Sequence, residues 1–369
     1  MDATVLSSLS LFAGTPEQIL ESRRRSAVEW GKDRTLEEYL ARDEFTDKQE
    51  VARNGRLITW VLASRNDPTS LSFLCSCETF RRDGVISAGG NPKKVICYGI
   101  ASVFTPPCHR GKGYASHMMR LLHWVIADAS LLPAVFPSEW GVPPDRVACA
   151  GDGIFSALWS DVGAGFYRRC GPTGCLDGWV VRSPFSTTWD VKPGKSNADT
   201  AGWVLLDEAG AMKLWEDDAE NIARAFSSAD NFKVSFSFLP HKGVAAFQHW
   251  RNIDILKKFG YTSIRHWGVS KDSHTFATWT FEITSPSKTL LITRLSSLSA
   301  DFESLLSMIM TVASKHGMQN VEVYNLPDHL QSSAARLGGI TFERNEHLSC
   351  FKWYGKEDAA DVAWLLNER

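Results

Sequence analysis

Arg110-Gly111-Lys112-Gly113-Tyr114-Ala115 sets two cations and two glycines ahead of an apolar run. Tyr114, Met118, Leu121, Leu122, Val125 and Ile126 recur near the i, i+3, i+4, i+7 spacing of an amphipathic helix. Upstream, residues 95–105 are apolar and β-branched, which predicts a strand. Pro106-Pro107 must end its ladder, since neither residue has an amide proton. Strand, glycine turn and helix start make an anion site. Free N–H groups and the positive helix end converge there, and Arg110 and Lys112 add charge. The segment has neither the G-x-x-x-x-G-K-[ST] of a Walker loop nor G-x-G-x-x-G.

Downstream, residues 157–160 read as strand, and Ser160-Asp161 are good helix N-cap residues. Phe166-Tyr167 fall on a short predicted helix that Gly171 can close as the residue after its end. By itself Tyr167 reads as a half-buried amphipathic tyrosine.

These pieces need a mixed sheet to hold them. Thr15-Pro16-Glu17 starts a helix, and helical pattern continues to about Asp47 with a break near Gly31. The run Arg23-Arg24-Arg25 reads as a solvated helix face. Residues 3–12 are expected as a first strand, 56–63 and 71–80 as two more, and 81–94 as a polar loop. The proline-bearing loop 133–152, with Trp140, is expected beside a substrate mouth. Residues 179–182 would close the first domain. Hairpin-like strands followed by a β-α-β crossover predict an α/β (α+β) fold.

The domains are expected at 1–185 and 201–369, joined by a Ser/Thr/Pro/Gly-rich linker at 186–200. The second domain repeats the pattern: strands at 275–283 and 289–295, a helix at 300–317 with Phe302, Leu305, Leu306, Ile309 and Ala313 on one face, strand 321–324, helix 327–338, and a closing strand at 343–353. Only Ser-Ser-Leu-Ser-Ala separates Leu295 from Asp301, with no arginine and no glycine turn. The second domain is therefore expected to lack such an anion loop.

The 369 residues are 44% hydrophobic and 22% charged, the composition of a globular chain. A net charge of −2 gives no electrostatic footprint for nucleic acid. No apolar window of about 18 residues predicts a membrane span. The amino terminus lacks the basic region of a signal peptide, so a cytoplasmic protein is expected. The eight cysteines have no zinc spacing and read as buried free thiols, with no metal expected. The fourteen tryptophans suit a pocket for a small organic substrate. Nothing in the sequence speaks to oligomeric state.

Arg110, Gly113 and Ala115 fit R-x-x-G-x-A, and the chain resembles the GCN5-related N-acetyltransferase (GNAT) superfamily, whose loop of this kind takes the pyrophosphate of acetyl-coenzyme A. Tyr167 and Gly171 match that superfamily's Tyr-x-x-x-Gly, whose tyrosine lies near the thiol sulfur. More specifically, the chain is similar to the fungal lysine N6-acetyltransferase family. The matching phrases are Trp30-Gly31 before Leu36-Glu37-Glu38-Tyr39-Leu40, Leu57-Ile58-Thr59-Trp60-Val61-Leu62, Leu158-Trp159-Ser160-Asp161-Val162-Gly163, Trp353-Tyr354-Gly355, and Trp364 with Asn367-Glu368. The family's usual ending runs past Asn-Glu, whereas this sequence stops at Arg369.

The resemblance implies a GNAT mixed sheet followed by a second GNAT-like domain, acetyl-coenzyme A as cosubstrate, and free L-lysine as first-choice substrate. Another small amine (alkaloid, polyamine or amino-acid toxin) is the alternative, and a non-catalytic acetyl-coenzyme A-binding protein is the rival of another class. Val103, Phe104, Thr105, Arg110, Gly111, Lys112, Gly113, Tyr114, Ala115, Ser160 and Phe166 would contact the cosubstrate. Tyr167 would serve the leaving thiolate. A lysine amine, with a pKa near 10.4, needs a base. Glu78 and Asp161 are the candidates, with the Arg369 carboxylate a third. Each has a plainer reading: Glu78 as a solvated strand residue, Asp161 as a helix cap.

Overall fold

The computed structural model describes residues 3–192, 194, 201–227, 229, 231–283 and 287–367. Its elements in chain order are α1 (Ala3–Ser7), β1 (Leu9–Ala13), α2 (Pro16–Trp30), α3 (Leu36–Asp47), β2 (Leu57–Ser64), β3 (Cys75–Ala88), β4 (Asn91–Phe104), α4 (Tyr114–Ile126), β5 (Gly153–Ser160), α5 (Gly165–Arg168) and β6 (Val180–Val181). There follow β7 (Phe185–Asp190), β8 (Val204–Leu206), α6 (Glu208–Ala225), β9 (Val234–Phe238), α7 (Ala246–Lys258), β10 (Gly268–Ser270), β11 (Phe276–Ile283) and β12 (Lys288–Ser296). The last are α8 (Phe302–Lys315), β13 (Asn320–Tyr324), α9 (Asp328–Arg336), β14 (Ile340–Glu343), β15 (Leu348–Trp353) and β16 (Val362–Trp364).

The chain forms two compact units. One comprises Met1–Arg182, Ser227–Phe238 and Asn345–Ala363; the other comprises Ser183–Phe226, Leu239–Arg344 and Trp364–Arg369. Neither is a single run of chain, so the expected division at 185 and 201 is corrected. The expected linker begins with strand β7, whose Ser186, Thr187 and Trp189 are buried. Threonine and tryptophan suit a pleated, half-buried surface, which outweighs the linker-like composition. Most of 191–200 lies outside the described residues. The expected closing strand at 343–353 is split: β14 belongs to the second sheet and β15 to the first.

The first sheet runs β1-β2-β3-β4-β5-β15-β6, with β9 also on β3 and β16 on β9. Along β1-β2-β3-β4-β5-β15-β6 and between β3 and β9, pairing is antiparallel except for β4 with β5, which are parallel and joined through α4. Met118, Met119, Leu121, Leu122, Val125 and Ile126 of α4 are fully buried against Leu11, Trp60, Leu62, Tyr98 and Ile100 of the sheet. Each such side chain contributes roughly 1.5–3 kcal/mol by leaving water. Trp140, expected near a substrate mouth, instead belongs to this core.

Residues 81–94 are not a loop. They are the ends of the long β3–β4 hairpin, turned at Gly89 and Gly90 with φ of 63° and 85°. Both central residues of a type I′ turn need positive φ, which glycine adopts without a Cβ clash. At the amino terminus, helix α1 precedes β1 where a strand was expected. Helices α2 and α3 are opened by capping boxes at Thr15/Gln18 and Thr35/Glu38. Arg23 and Arg25, expected to be solvated, are held: Arg23 chelates Asp47 at 2.7 Å, and Arg25 pairs with Glu21 and donates to the Phe73 carbonyl.

The second sheet runs β14-β7-β13-β12-β11-β10-β8. It repeats the antiparallel hairpin (β11–β12) followed by a parallel crossover (β12–α8–β13). The apolar face expected for α8 is buried at Phe302, Leu305, Leu306, Ile309 and Ala313. The fold is thus two mixed sheets flanked by helices.

Candidate active site

The parallel strands β4 and β5 pair only from Ile96–Gly99 against Gly153–Ala157. Beyond Gly99, β4 has no partner on that edge among the described residues, while β5 keeps β15 on its other side as far as Ser160. The two strands form a fork, and backbone groups facing it need another partner. On its opposite edge β4 carries a bulge: Ser76 faces Phe104 and Glu78 faces Ala101, so β4 holds one extra residue. Ser102 sits in the bulge at φ 53°, a conformation costly for a non-glycine residue.

The loop leaving β4 leads straight to an anion cradle. Gly111 and Gly113 adopt φ of 74° and 79°, and Gly113 caps α4 with no side chain over the helix end. The N–H groups of residues 111–116 donate to no protein acceptor among the described residues; the first intrahelical bond is His117 to Gly113. A Cβ built on Gly111 would meet open space. Amides without a protein acceptor, a positive helix end, the exposed Lys112 and no acid in the first turn suit a phosphate. Arg110 is exposed, donates from Nε to the Thr105 carbonyl at 3.0 Å and pairs with Glu29 of α2, which braces the loop. Phe104 is buried edge-on to Trp30, Val103 is half-buried against the core, and Tyr114 lies edge-on to His109.

Tyr167 of α5 packs in the cluster that holds Cys77, Cys170, Trp179 and Cys350. It is 7% exposed, and its hydroxyl has no hydrogen-bond partner among the described residues. Burial raises the phenol well above its ordinary pKa. Phe166 lies edge-on to it at 4.9 Å. The segment after α5 is held by buried groups that the sequence did not single out. His123 of α4 contacts the Cys170 carbonyl through Nε2 at 2.8 Å and the Tyr354 hydroxyl through Nδ1 at 2.8 Å. A carbonyl only accepts, so Nε2 carries the proton and Tyr354 donates to Nδ1. Ser156 continues the chain to Tyr354 at 3.1 Å and accepts from the Trp179 indole at 3.0 Å. A polar residue on the apolar face of α4 was the available signal for His123.

Three expectations are corrected. The N-cap of α5 is Ala164, not Ser160 or Asp161, because Val162-Gly163 turn first, with Gly163 at φ 77°. Ser160 is fully buried and closes that turn, donating to the Gly163 carbonyl at 2.9 Å and accepting from the Val162 N–H. Gly171 does not close a helix in the left-handed region; a Cβ there would collide with the Asp177 carboxylate. Of the cysteines, Cys108, Cys149 and Cys175 are exposed rather than buried.

Glu78 is buried, not solvated, and accepts from the Ser102 hydroxyl at 2.7 Å. It stands on the face of β3 opposite Cys77, and so opposite the α4 side. Asp161 is half-exposed and held by His347, accepting its backbone N–H at 2.9 Å with the ring nitrogen at 2.8 Å. Arg369 lies outside the described residues.

In the second unit no glycine stands between β12 and α8, and Asp301 and Glu303 sit at the helix start, Asp301 paired with Lys271 at 2.9 Å. Acids there repel a phosphate. Among the described residues, no helix is long and apolar enough to cross a membrane.

Comparison with known proteins agrees with this architecture. Residues 188–369 match the family described as the LYC1 GNAT-like C-terminal domain. A protein of Yarrowia lipolytica named lysine acetyltransferase is 31% identical over 170 residues, covering 44% of this chain and 40% of that protein. The chain therefore spans about two fifths of the length of that relative. The crystal structure of a GCN5-related N-acetyltransferase from Kribbella flavida aligns with a TM-score of 0.51 at 14% identity, covering 94% of this chain and 71% of the other. One from Anabaena variabilis aligns with a TM-score of 0.52 at 12% identity, covering 94% and 73%. At such identity these two structures share the fold alone.

Proposed function

For this chain, a member of the GNAT superfamily whose second half is a LYC1 GNAT-like C-terminal domain, we propose an acetyl-coenzyme A-dependent N-acetyltransferase acting on the primary amine of a small molecule, first choice the side-chain amine of free L-lysine. One observation carries the reading. The β4–β5 fork has the amide cradle of residues 111–116 at the end of β4, with Glu78 hydrogen-bonded to the bulge residue Ser102. The Yarrowia relative's name supports lysine.

The residues fit the cosubstrate. Gly111, Lys112, Gly113, Tyr114 and Ala115 would take its pyrophosphate on their amides, with Arg110 bracing the loop and the Lys112 ammonium nearby. Val103, Phe104 and Thr105 would line its path along the fork, with Ser160 and Phe166 supporting the opposite edge. When bound, acetyl-coenzyme A supplies a thioester carbonyl open to attack.

Glu78 then takes a proton from the acceptor ammonium, directly or through water, because only about one lysine side chain in a thousand is neutral at pH 7. The amine lone pair forms the new C–N bond as the C–S bond breaks, and the second proton that the nitrogen must shed leaves to water. Backbone N–H groups of β4 beyond Gly99, freed from β5, stabilise the negative charge on the carbonyl oxygen, and one such donor is worth about 3 kcal/mol. Tyr167 faces the leaving thiolate. Its burial-raised pKa makes it a neutral hydrogen-bond donor, and the thiolate takes its final proton from solvent. Asp161, engaged with His347, is the weaker candidate for base.

The test is thiol release from acetyl-coenzyme A against lysine, ornithine, polyamines, cyclic alkaloid amines and a peptide, with product masses checked. Fast turnover of lysine is expected. Turnover of a different small amine would keep the mechanism and replace the substrate. Coenzyme binding with no acceptor turned over would favour the non-catalytic reading.

A further inference from the structure

Arg82 on β3 is 8% exposed, and among the described residues its guanidinium meets no carboxylate and makes no hydrogen bond. Its Nε is fully buried without an acceptor. Burial of a charge without a counter-ion is strongly unfavourable, so an empty-handed buried guanidinium needs a reason. The ring faces of Phe238 and Phe80, 5.2 and 5.7 Å from Cζ, recover part of the lost hydration and leave the planar fork of N–H groups unused.

Its position supplies the reason. Arg82 and Glu78 are four residues apart on an unbroken stretch of β3, so both project from the same face. The guanidinium lies across Gly99 of β4, where a Cβ would come within 2.8 Å of Cζ. Gly99 is the last β4 residue paired with β5, so the guanidinium rests at the base of the fork. Glu78 reaches Ser102, three residues further along β4, about 10 Å at the strand rise. An extended lysine spans about 7 Å from carboxyl carbon to side-chain nitrogen. With a hydrogen bond of about 3 Å at each end, a lysine that need not be fully extended covers that separation. The α-amine, about 2.5 Å from the carboxyl carbon, would reach only about 8.5 Å with the same two contacts, short of Glu78.

We propose that Arg82 is the carboxylate anchor of the acceptor site: the substrate is an amino acid that places its carboxylate on Arg82 and a terminal amine, about five methylene or methine units away, at Glu78. This rests on the acetyltransferase reading above and adds the specificity residue.

The test uses the full chain with L-lysine, 6-aminohexanoate and cadaverine, which lacks the carboxylate. In Arg82→Gln, kcat/KM should fall at least about thirtyfold more for the two carboxylates than for cadaverine, mostly through KM. Arg82→Lys should recover part of that preference. Gly99→Ala, which crowds the guanidinium without removing it, should also penalise the carboxylates. An equal loss for all three acceptors in every variant would overturn the assignment and leave the acetyltransferase intact. Calorimetric binding of 6-aminohexanoate, which needs no turnover, separates the two claims. Binding lost in Arg82→Gln supports the anchor even if no acceptor is acetylated. Binding equal in wild type and Arg82→Gln, or absent from both, refutes it.

Discussion

The Ser102 hydroxyl donates to the Glu78 carboxylate at 2.7 Å across the bulge in β4. The extra residue that forces Ser102 to positive φ is what turns its side chain onto the neighbouring strand. A buried acid on the β3–β4 pair is thereby oriented beside the fork, the arrangement a general base requires.

Glu78→Gln removes the proposed proton acceptor and keeps the shape. Turnover should fall about a hundredfold or more, with coenzyme affinity held within about twofold. Steady-state kinetics and calorimetry on the same preparation check this. Turnover near that of the wild type would move the base elsewhere.

Tyr167→Phe deletes one hydroxyl that has no protein partner among the described residues, so stability should change little. Turnover should drop about tenfold to a thousandfold. Because burial raises the phenol's pKa, Tyr167 stays protonated through alkaline pH. The wild-type rate should therefore show no fall below pH 10 from this group. A falling limb that vanishes in Tyr167→Phe would contradict the assignment.

Gly113→Asp puts a carboxylate at the cap of α4, where the cradle opens. Coenzyme binding, read by calorimetry, should be lost while far-ultraviolet circular dichroism is retained. Gly113→Asn, of similar size and tolerant of positive φ, should keep more affinity. Equal binding by both variants and wild type would remove the loop from the pyrophosphate site.

Burial lowers two imidazoles of α4: His117 to about 4, with Arg120 adding to the effect, and His123 to about 3, with Lys352 adding. Unfolded histidine protonates near 6.5, so below that pH the unfolded chain binds protons that the folded chain refuses. Stability is therefore full above about pH 6.5 and falls on acidification, by up to about 2.7 kcal/mol per pH unit from this pair down to about pH 4. Urea unfolding midpoints at pH 7.5 and 5 measure it. A flat profile would contradict the buried neutral pair.

Much of the candidate site was legible before the fold. The loop at 110–115, the helix after it and Tyr167 are local patterns, with glycine, proline and apolar spacing each acting within a few residues. What escaped is long-range. Arg82 and the rest of 81–94 read as loop because charge and glycine mask a strand that is paired on both edges. Ser156, His123, Trp179 and Tyr354 meet only because β15 enters the first sheet, and nothing in a strand's own residues names its sheet. The β7 segment was missed for the same reason.

The most direct measurement is transfer itself. The full chain is incubated with L-lysine and acetyl-coenzyme A labelled in the acetyl group, and the labelled amino acid is located by tandem mass spectrometry. Catalytic labelling is expected on the side-chain nitrogen alone and is expected to be lost in Glu78→Gln. Coenzyme bound at the loop while neither lysine nor any other small amine acquires label would contradict it.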